Sequence, residues 1–205
     1  MPYNLFVMSV GATVSSGQRA SFSNYGSESV SVFAPGGSIL STVPISHSSS
    51  GYAYMSGTSM AAPYVTGVAA LMYSVLENVE HDLTKLQMAS VIKAAIIDGA
   101  AYSSQLDGLC VADGRLNAVA AISELLFNMS ELSDGTLRID SMRYQYDGDL
   151  YIPDELNGNS VADIATAAFI YQTGLESISI TAGVIFIGAN AFQCCTSFQS
   201  ITFAV

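Results

Sequence analysis

Basic residues are scarce in this chain: 6 Lys and Arg stand against 17 Asp and Glu, which gives a formal net charge of −11. Nucleic-acid binding needs a basic face, so this balance argues against that function. Charged residues of either sign make up only 11% of the 205 residues, whereas 50% are hydrophobic. Such a composition argues against disorder, and the length suits one or two domains with a buried core.

Long apolar runs are also missing. No stretch reaches the length of about 18 consecutive apolar residues that a membrane helix needs, so we expect no membrane span. The start, Met1–Leu5, lacks the basic region of a secretory signal peptide. The chain is therefore either a cytosolic product or one whose true N-terminus lies further upstream.

Cysteine is rare, and the three cysteines match neither a metal-site spacing nor a disulfide framework. Cys194 and Cys195 are adjacent and do not readily bond to each other in an extended chain. We therefore expect them to be buried as small apolar residues.

The most informative stretch is GTSMAAPYVTG, from Gly57 to Gly67. A Gly-Thr-Ser turn leads into an apolar helix predicted from Ser59 to about Leu76, with Pro63 in its first turn, where a missing N–H costs little. Ser59 then lies where free N–H groups and the positive helix end converge, which favours a developing oxyanion beside a nucleophile. Gly67 lowers helix propensity by about 1 kcal/mol relative to Ala, so we expect close packing there.

This run resembles the nucleophile segment of subtilisin-like serine peptidases (subtilases), G-T-S-M-A-x-P-x-V-x-G, at every fixed position. The pieces V-G-A, A-S-F-S-x-x-G and A-P-G, between residues 10 and 36, follow the family's order and spacing. An element at 114–121 is similar to the G-x-(V/L)-N-A…A segment that closes the family's domain. The resemblance implies that Ser59 is the catalytic serine. The alternative is an ordinary helix entry in which Ser59 is an N-cap.

The resemblance also implies an α/β fold, the C-terminal part of a three-layer parallel-sheet domain over residues 1–127. Subtilases carry the catalytic Asp and His before the serine, so we expect both, and the oxyanion Asn, upstream of residue 1. The chain alone would then be inactive. Neither histidine replaces the missing base, because His47 lies in a Ser-rich loop and His81 in a connector. We expect both histidines to be exposed.

The residues themselves predict no cofactor and no metal site. Subtilases often bind calcium, so the resemblance implies calcium for a full-length domain, with its ligand loops mostly upstream. A loose group of carboxylates follows residue 146, and we interpret it as solvated surface rather than as ligands: Asp147, Asp149 and Asp154.

After about residue 127 the helical periodicity gives way to short apolar pairs, and we predict a linker at 128–149. A 23-residue period follows, in which residues 164–178 return as 187–201. One unit, L-x-S-I-x-I…I-x-x-x-A-F…C-T-S-(L/F), resembles BspA-like leucine-rich repeats of surface and secreted proteins. We therefore predict about two units, truncated at the C-terminus, at 150–205. A plain β-rich extension with coincidental spacing is the alternative.

These observations predict two functions. The first is a fragment of a subtilisin-like serine endopeptidase that hydrolyses peptide or protein substrates, with Ser59 as nucleophile and the repeats as an anchoring or targeting tail. The second is a non-catalytic surface binding or adhesion protein whose repeats bind a protein or cell-surface ligand. The resemblances imply an extracellular or cell-surface location.

Overall fold

A computed structural model describes residues 7–203, which form two compact units. Unit 1 comprises residues 7–71 and 92–121, and unit 2 comprises residues 72–91 and 122–203. The helices are α1 (Thr58–Glu77), α2 (Lys85–Asp98) and α3 (Ala118–Leu126). The strands of unit 1 are β1 (Val10–Thr13), β2 (Val32–Pro35), β3 (Ile39–Thr42), β4 (Tyr52–Met55), β6 (Ala101–Tyr102) and β7 (Gly114–Arg115).

The strands of unit 2 are numbered in the same chain order. They are β5 (Val79–Glu80), β8 (Phe127–Glu131), β9 (Leu137–Met142), β10 (Gln145–Tyr146), β11 (Gly148–Ile152), β12 (Glu155–Leu156), β13 (Asn159–Ile164), β14 (Leu175–Ile180), β15 (Phe186–Ile187) and β16 (Ser200–Phe203).

Unit 1 is built on a mainly parallel sheet of order β1-β2-β7-β6. β2 pairs in parallel with both β1 and β7, and β6 lies antiparallel to β7. Central parallel strands are covered on both faces and are therefore apolar. In β2, Val32, Phe33 and Ala34 are fully buried. The predicted α/β class with a parallel sheet is confirmed.

The start of α2 is fixed by two hydrogen bonds between Thr84 and Gln87. Thr84 N donates to Gln87 Oε1 at 2.9 Å, and Gln87 N donates to Thr84 Oγ1 at 3.3 Å. This reciprocal pair is a capping box, which gives partners to backbone donors that the first turn leaves unpaired. The helix ends at Asp98, directly before Gly99.

Helix α1 is long and apolar enough to cross a bilayer, with 20 residues and a mean hydropathy of 1.4. Core helices of globular domains reach the same values; in α1, 28% of the apolar window is buried, and Ala61, Met72 and Leu76 are its fully buried residues. The close packing that we expected at Gly67 is absent: among the described residues, nothing outside the helix's own turns lies within 4 Å of where its Cβ would be.

Unit 2 contains two parallel ladders of strands. One ladder joins β9, β13 and β15, and the other joins β11, β14 and β16. Ile164 pairs with Ile187 in the first ladder and Ile178 with Ile201 in the second, both 23 residues apart. The predicted 23-residue period is therefore also the register of the structure. Its membership in the leucine-rich-repeat family stays a prediction.

The turns between the ladders repeat as well. Ala167 and Asn190, 23 residues apart, have φ angles of 59° and 58°, and Tyr171 and Cys194 have 59° and 62°. Left-handed backbone is uncommon in residues other than glycine, so its recurrence marks equivalent positions in successive layers. Phe169 N donates to the Ala191 carbonyl at 2.8 Å. Two inward rings, Phe169 and Phe192, stack with centroids 5.3 Å apart.

The expected burial of the cysteine pair is wrong for Cys194, which is exposed. It occupies the left-handed turn position that exposed Tyr171 occupies one layer earlier. Cys195 is half-buried, its Sγ donates to the Phe169 carbonyl at 3.0 Å, and burial raises the pKa of its thiol. The Cys-Cys pair by itself does not show which cysteine is exposed. The 23-residue period does, because it places Cys194 in register with Tyr171.

Strands also occupy the range that we predicted as a linker. β8 and β9 pair antiparallel as a hairpin, and β10 pairs with β5. β8 and β9 are only partly buried, so the alternation of apolar and polar residues along them is weak. The domain boundaries themselves stay a prediction.

Candidate active site

Ser59 is the second residue of α1 and is exposed. Strand β4 ends at Met55, and two residues, Ser56 and Gly57, turn the chain into the helix. Because Ser59 lies in the first helical turn, its backbone N–H lacks an i−4 partner within the helix. The first turn of α1 contains no acidic residue that would oppose a negative charge.

Three hydrogen bonds hold the turn before Ser59 against the sheet. Gly57 N donates to the Gly36 carbonyl at 2.8 Å, and Gly36 N donates to the Thr13 carbonyl at 2.9 Å. Ser38 N donates to Ser56 Oγ at 2.9 Å. Since Thr13 ends β1 and Gly36 directly follows β2, the turn is fixed at the carboxyl edge of the parallel sheet, where ligands of open α/β sheets bind.

Residue 36 has no room for a side chain, so glycine is required there. A Cβ there would lie 2.6 Å from the Ala12 Cβ and 2.7 Å from the Gly57 carbonyl oxygen. Both distances are far inside van der Waals contact, so only glycine lets the segment after β2 approach the helix entry. In the sequence, this glycine is the last residue of the A-P-G piece that resembles the family.

Pro63 lies deeper in α1 than predicted. The helix begins at Thr58, so Pro63 is its sixth residue rather than a member of the first turn. An N–H at this position would donate to the carbonyl of Ser59, four residues earlier, and proline has none. The backbone carbonyl of Ser59, the candidate nucleophile, therefore lacks its N–H donor within the helix.

A cavity of about 570 Å³ opens at the same carboxyl edge. It is lined by the end of β1, by the segment after β2 that includes Gly37, and by residues 115–118. Unit 1 therefore combines an exposed serine at a helix entry with a concave surface at one edge of its sheet.

His47 has the surroundings that we predicted. It lies in the loop between β3 and β4 and is exposed. Within the described part of unit 1, no histidine or carboxylate side chain hydrogen-bonds to Ser59. Ser59 therefore has no general base among these residues.

The predicted exposure is wrong for His81, which is half-buried in unit 2. Its Nδ1 accepts a hydrogen bond from Leu83 N at 3.1 Å, and its ring meets the Tyr144 ring edge-on, 6.2 Å between centroids. Burial raises the pKa of the Tyr144 hydroxyl. The neighbours Glu80 and Asp82 suggested a solvated connector. Tyr144, which covers His81, comes from a distant part of the chain and therefore gives no local signal.

The predicted carboxylates form no metal site. Asp147, Asp149 and Asp154 are exposed, and Asp149 Oδ1 accepts a hydrogen bond from Ser177 Oγ at 2.5 Å. Across residues 7–203, no group of three or more His, Cys, Asp or Glu side chains is arranged to hold a metal ion.

Unit 1 thus places the serine of the GTSMAAPYVTG motif at a helix entry beside a parallel sheet, and comparison with known families identifies the family. The model of the subtilase family matches residues 3–125, more than half of the chain. The chain therefore belongs to the subtilase family of serine peptidases.

Individual proteins are similar over shorter parts. The "Extracellular basic protease" of Dichelobacter nodosus is 39% identical over 121 residues, which cover 55% of this chain and 19% of that protein. The chain thus spans about a fifth of the length of this curated relative. A solved structure of the prenylagaramide maturation protease PagA is 31% identical and covers 58% of this chain and 42% of its own, with a TM-score of 0.47.

A second solved structure, a leucine-rich-repeat protein of T. pallidum, is 25% identical and covers 38% of this chain and 37% of its own. Its TM-score is 0.37.

Proposed function

We propose that this chain carries the nucleophile of a subtilisin-like serine endopeptidase, and that the nucleophile is Ser59. The observation that carries the proposal is the exposed position of Ser59 at the start of α1, in a family member. The hydrogen bonds to Gly36 and Ser38 support it, because a nucleophile must be held in a fixed geometry.

In the proposed reaction, Ser59 Oγ attacks the carbonyl carbon of the scissile peptide bond. The carbonyl oxygen becomes an oxyanion, which the Ser59 N–H and the positive end of α1 stabilise. The hydroxyl proton passes to a histidine base oriented by a carboxylate. No such pair hydrogen-bonds to Ser59 within the described part of unit 1. We propose that a histidine, a carboxylate and an asparagine from outside this part complete the site.

The substrate class and the location follow from the relatives. The similar protein from Dichelobacter nodosus is described as an extracellular protease. We therefore propose a peptide or protein substrate and an extracellular or cell-surface location.

The test is a chimera. The part of the Dichelobacter protease that precedes its match to this chain is joined to residues 1–205, and hydrolysis of a protein substrate and labelling by a fluorophosphonate are measured. We expect both, with the label on Ser59. Ser59→Ala should lower hydrolysis to the assay background, because the covalent step has no other nucleophile.

The matched control is Ser74→Ala, an exposed serine further along the same helix, which should leave hydrolysis unchanged. A folded chimera without hydrolysis or label, next to an active parent protease, would contradict the proposal.

One observation favours the second candidate, binding through the repeats. The outward residues of β11, β14 and β16 form polar columns, Asp149–Ser177–Ser200 and Tyr151–Ser179–Thr202. Hydroxyls and a 59%-exposed tyrosine make a surface rich in hydrogen-bonding groups. An inactive but folded chimera would leave this surface as the functional part of the chain.

A further inference from the structure

A cavity in unit 2 is lined by side chains from three segments that are remote in the sequence. Its volume is about 620 Å³, and the residues that line it come from 80–87, 141–145 and 167–172. All three segments belong to unit 2, so the cavity shares no lining residue with the one in unit 1. Small-molecule sites occupy volumes of roughly 300–1,000 Å³, and this cavity is of that size.

Hydrogen bonds tie the three segments of this cavity together. The first two segments are joined by the antiparallel pairing of β5 with β10. Met142 N donates to the Ala168 carbonyl at 3.2 Å, and Gln172 Oε1 accepts from Tyr146 N at 2.9 Å. The walls are therefore formed before any ligand arrives, which lowers the entropy cost of binding one.

Two carboxamide groups in these walls lack hydrogen-bond partners. Gln145 Oε1 is buried and has no donor among the described residues. Gln172 is only 5% exposed, and within residues 7–203 no acceptor bonds to its Nε2. Buried polar groups are almost always paired, so each exception needs an explanation. An unpaired acceptor and an unpaired donor in the walls of one cavity indicate a ligand that supplies both.

Other side chains around the cavity add donors and acceptors. His81 Nδ1 accepts from Leu83 N at 3.1 Å, which places the proton of the neutral ring on Nε2 as a donor. Tyr144 adds a hydroxyl and an apolar ring. Charges of both signs also line the cavity: Glu80, Asp82 and Arg143. An anion would meet the carboxylates and a cation the guanidinium, whereas hydroxyl groups pair with either.

We propose that this cavity binds a neutral saccharide of one or two sugar rings. A sugar hydroxyl both donates and accepts, so neighbouring hydroxyls give Gln145 its donor and Gln172 its acceptor. The last torsion of a glutamine side chain is broad, which lets Gln145 turn its buried oxygen towards the ligand. The half-buried Tyr144 offers apolar surface to the C–H groups of the sugar. The proposal does not depend on the role of Ser59.

The test is an NMR titration of the isotope-labelled full chain with D-glucose, D-galactose and N-acetyl-D-glucosamine. The side-chain amide signals of Gln145 and Gln172 report on the two unpaired groups directly. We expect at least one sugar to shift both signals to saturation, with a dissociation constant on the order of a millimolar or tighter. If none of the three sugars shifted them at about 50 mM, where a millimolar site is nearly full, the proposal would be overturned.

Two variants test the walls of the cavity. Gln145→Met and Tyr144→Phe each remove polar atoms and nearly keep the shape of the side chain, and each should weaken sugar binding roughly threefold to tenfold. Because Gln145 Oε1 has no partner in the free chain, Gln145→Met should leave the melting temperature unchanged or raise it. The matched control is Gln193→Met, an exposed glutamine of unit 2 outside the cavity, which should bind the sugar as the wild type does. Undiminished binding by both cavity variants would overturn the proposal.

Three further compounds test the chemical class of the ligand. They are acetate, ethylamine and N-acetylalanine methylamide, which represent an anion, a cation and a peptide group. We expect none of them to displace the sugar from the wild-type chain. If one of them shifted the signals of Gln145 and Gln172 while no sugar did, the cavity would belong to that class and the saccharide proposal would be wrong.

Discussion

At Gly36 the volume of a side chain is already occupied by the Ala12 Cβ and the Gly57 carbonyl oxygen. Gly36→Ala must therefore move β1, the helix entry or both, and we expect it to lower the free energy of unfolding by about 1–3 kcal/mol. In the active chimera it should also lower hydrolysis, since the displaced turn carries Ser59. Urea unfolding and the chimera assay measure the two effects.

Gly67→Ala is the matched control. Gly67 lies within α1, and no described residue outside the helix's own turns lies within 4 Å of its missing Cβ. Alanine should raise the free energy of unfolding by about 0.5–1 kcal/mol through helix propensity alone. If Gly36→Ala and Gly67→Ala changed the free energy of unfolding in the same direction, the steric account of Gly36 would be wrong.

Residue-scale features differed in how far the sequence revealed them. The position of Ser59 at a helix entry was predictable because its motif is contiguous. The role of Gly36 was not, because it depends on contact with Ala12 and Gly57, each more than 20 positions away. The exposure of His81 was mispredicted for the same reason, since Tyr144 covers it from a remote segment.

Among the elements, α2 offers a direct test of capping. Thr84→Ala removes the hydroxyl that accepts from Gln87 N, and we expect the free energy of unfolding to fall by about 1 kcal/mol. Ser90→Ala within the same helix removes a hydroxyl that donates to the Leu86 carbonyl, and it should be neutral or slightly stabilising. Chemical unfolding measures the free energy of unfolding of both variants. If Thr84→Ala lowered it no more than Ser90→Ala does, the capping role of Thr84 would be wrong.

Element by element, local signals determined what was predictable. The helices α1 and α2 have a motif or a cap at their starts, and the apolar pairs of β14 and β16 recur with the period of the repeat. The β8–β9 hairpin has neither signal, and its strands are mostly half-buried. Its pairing depends on tertiary context, which a sequence pattern does not contain.

For the whole molecule, charge imbalance predicts a response to salt. Acidic residues outnumber Lys and Arg by 17 to 6, so repulsion among carboxylates opposes the folded state. Raising sodium chloride from low to about physiological ionic strength should increase the melting temperature by roughly 2–4 °C, because screening weakens this repulsion. Scanning calorimetry at low protein concentration measures it.

The control for this measurement replaces the salt with a neutral osmolyte, which leaves charge repulsion unscreened. A melting temperature that falls as salt is added would mean that ion pairs such as Arg138–Asp140 outweigh the repulsion.

The pairing of β2 with β7 also has a consequence for the order of folding. Phe33 and Arg115 are 82 positions apart in the sequence, whereas successive layers of unit 2 close over about 23. Closing a longer loop costs more chain entropy before any contact forms. On the ribosome, the pairing of β2 with β7 must therefore wait until β7 has emerged, while each layer of unit 2 can add to the one before it as soon as it is made.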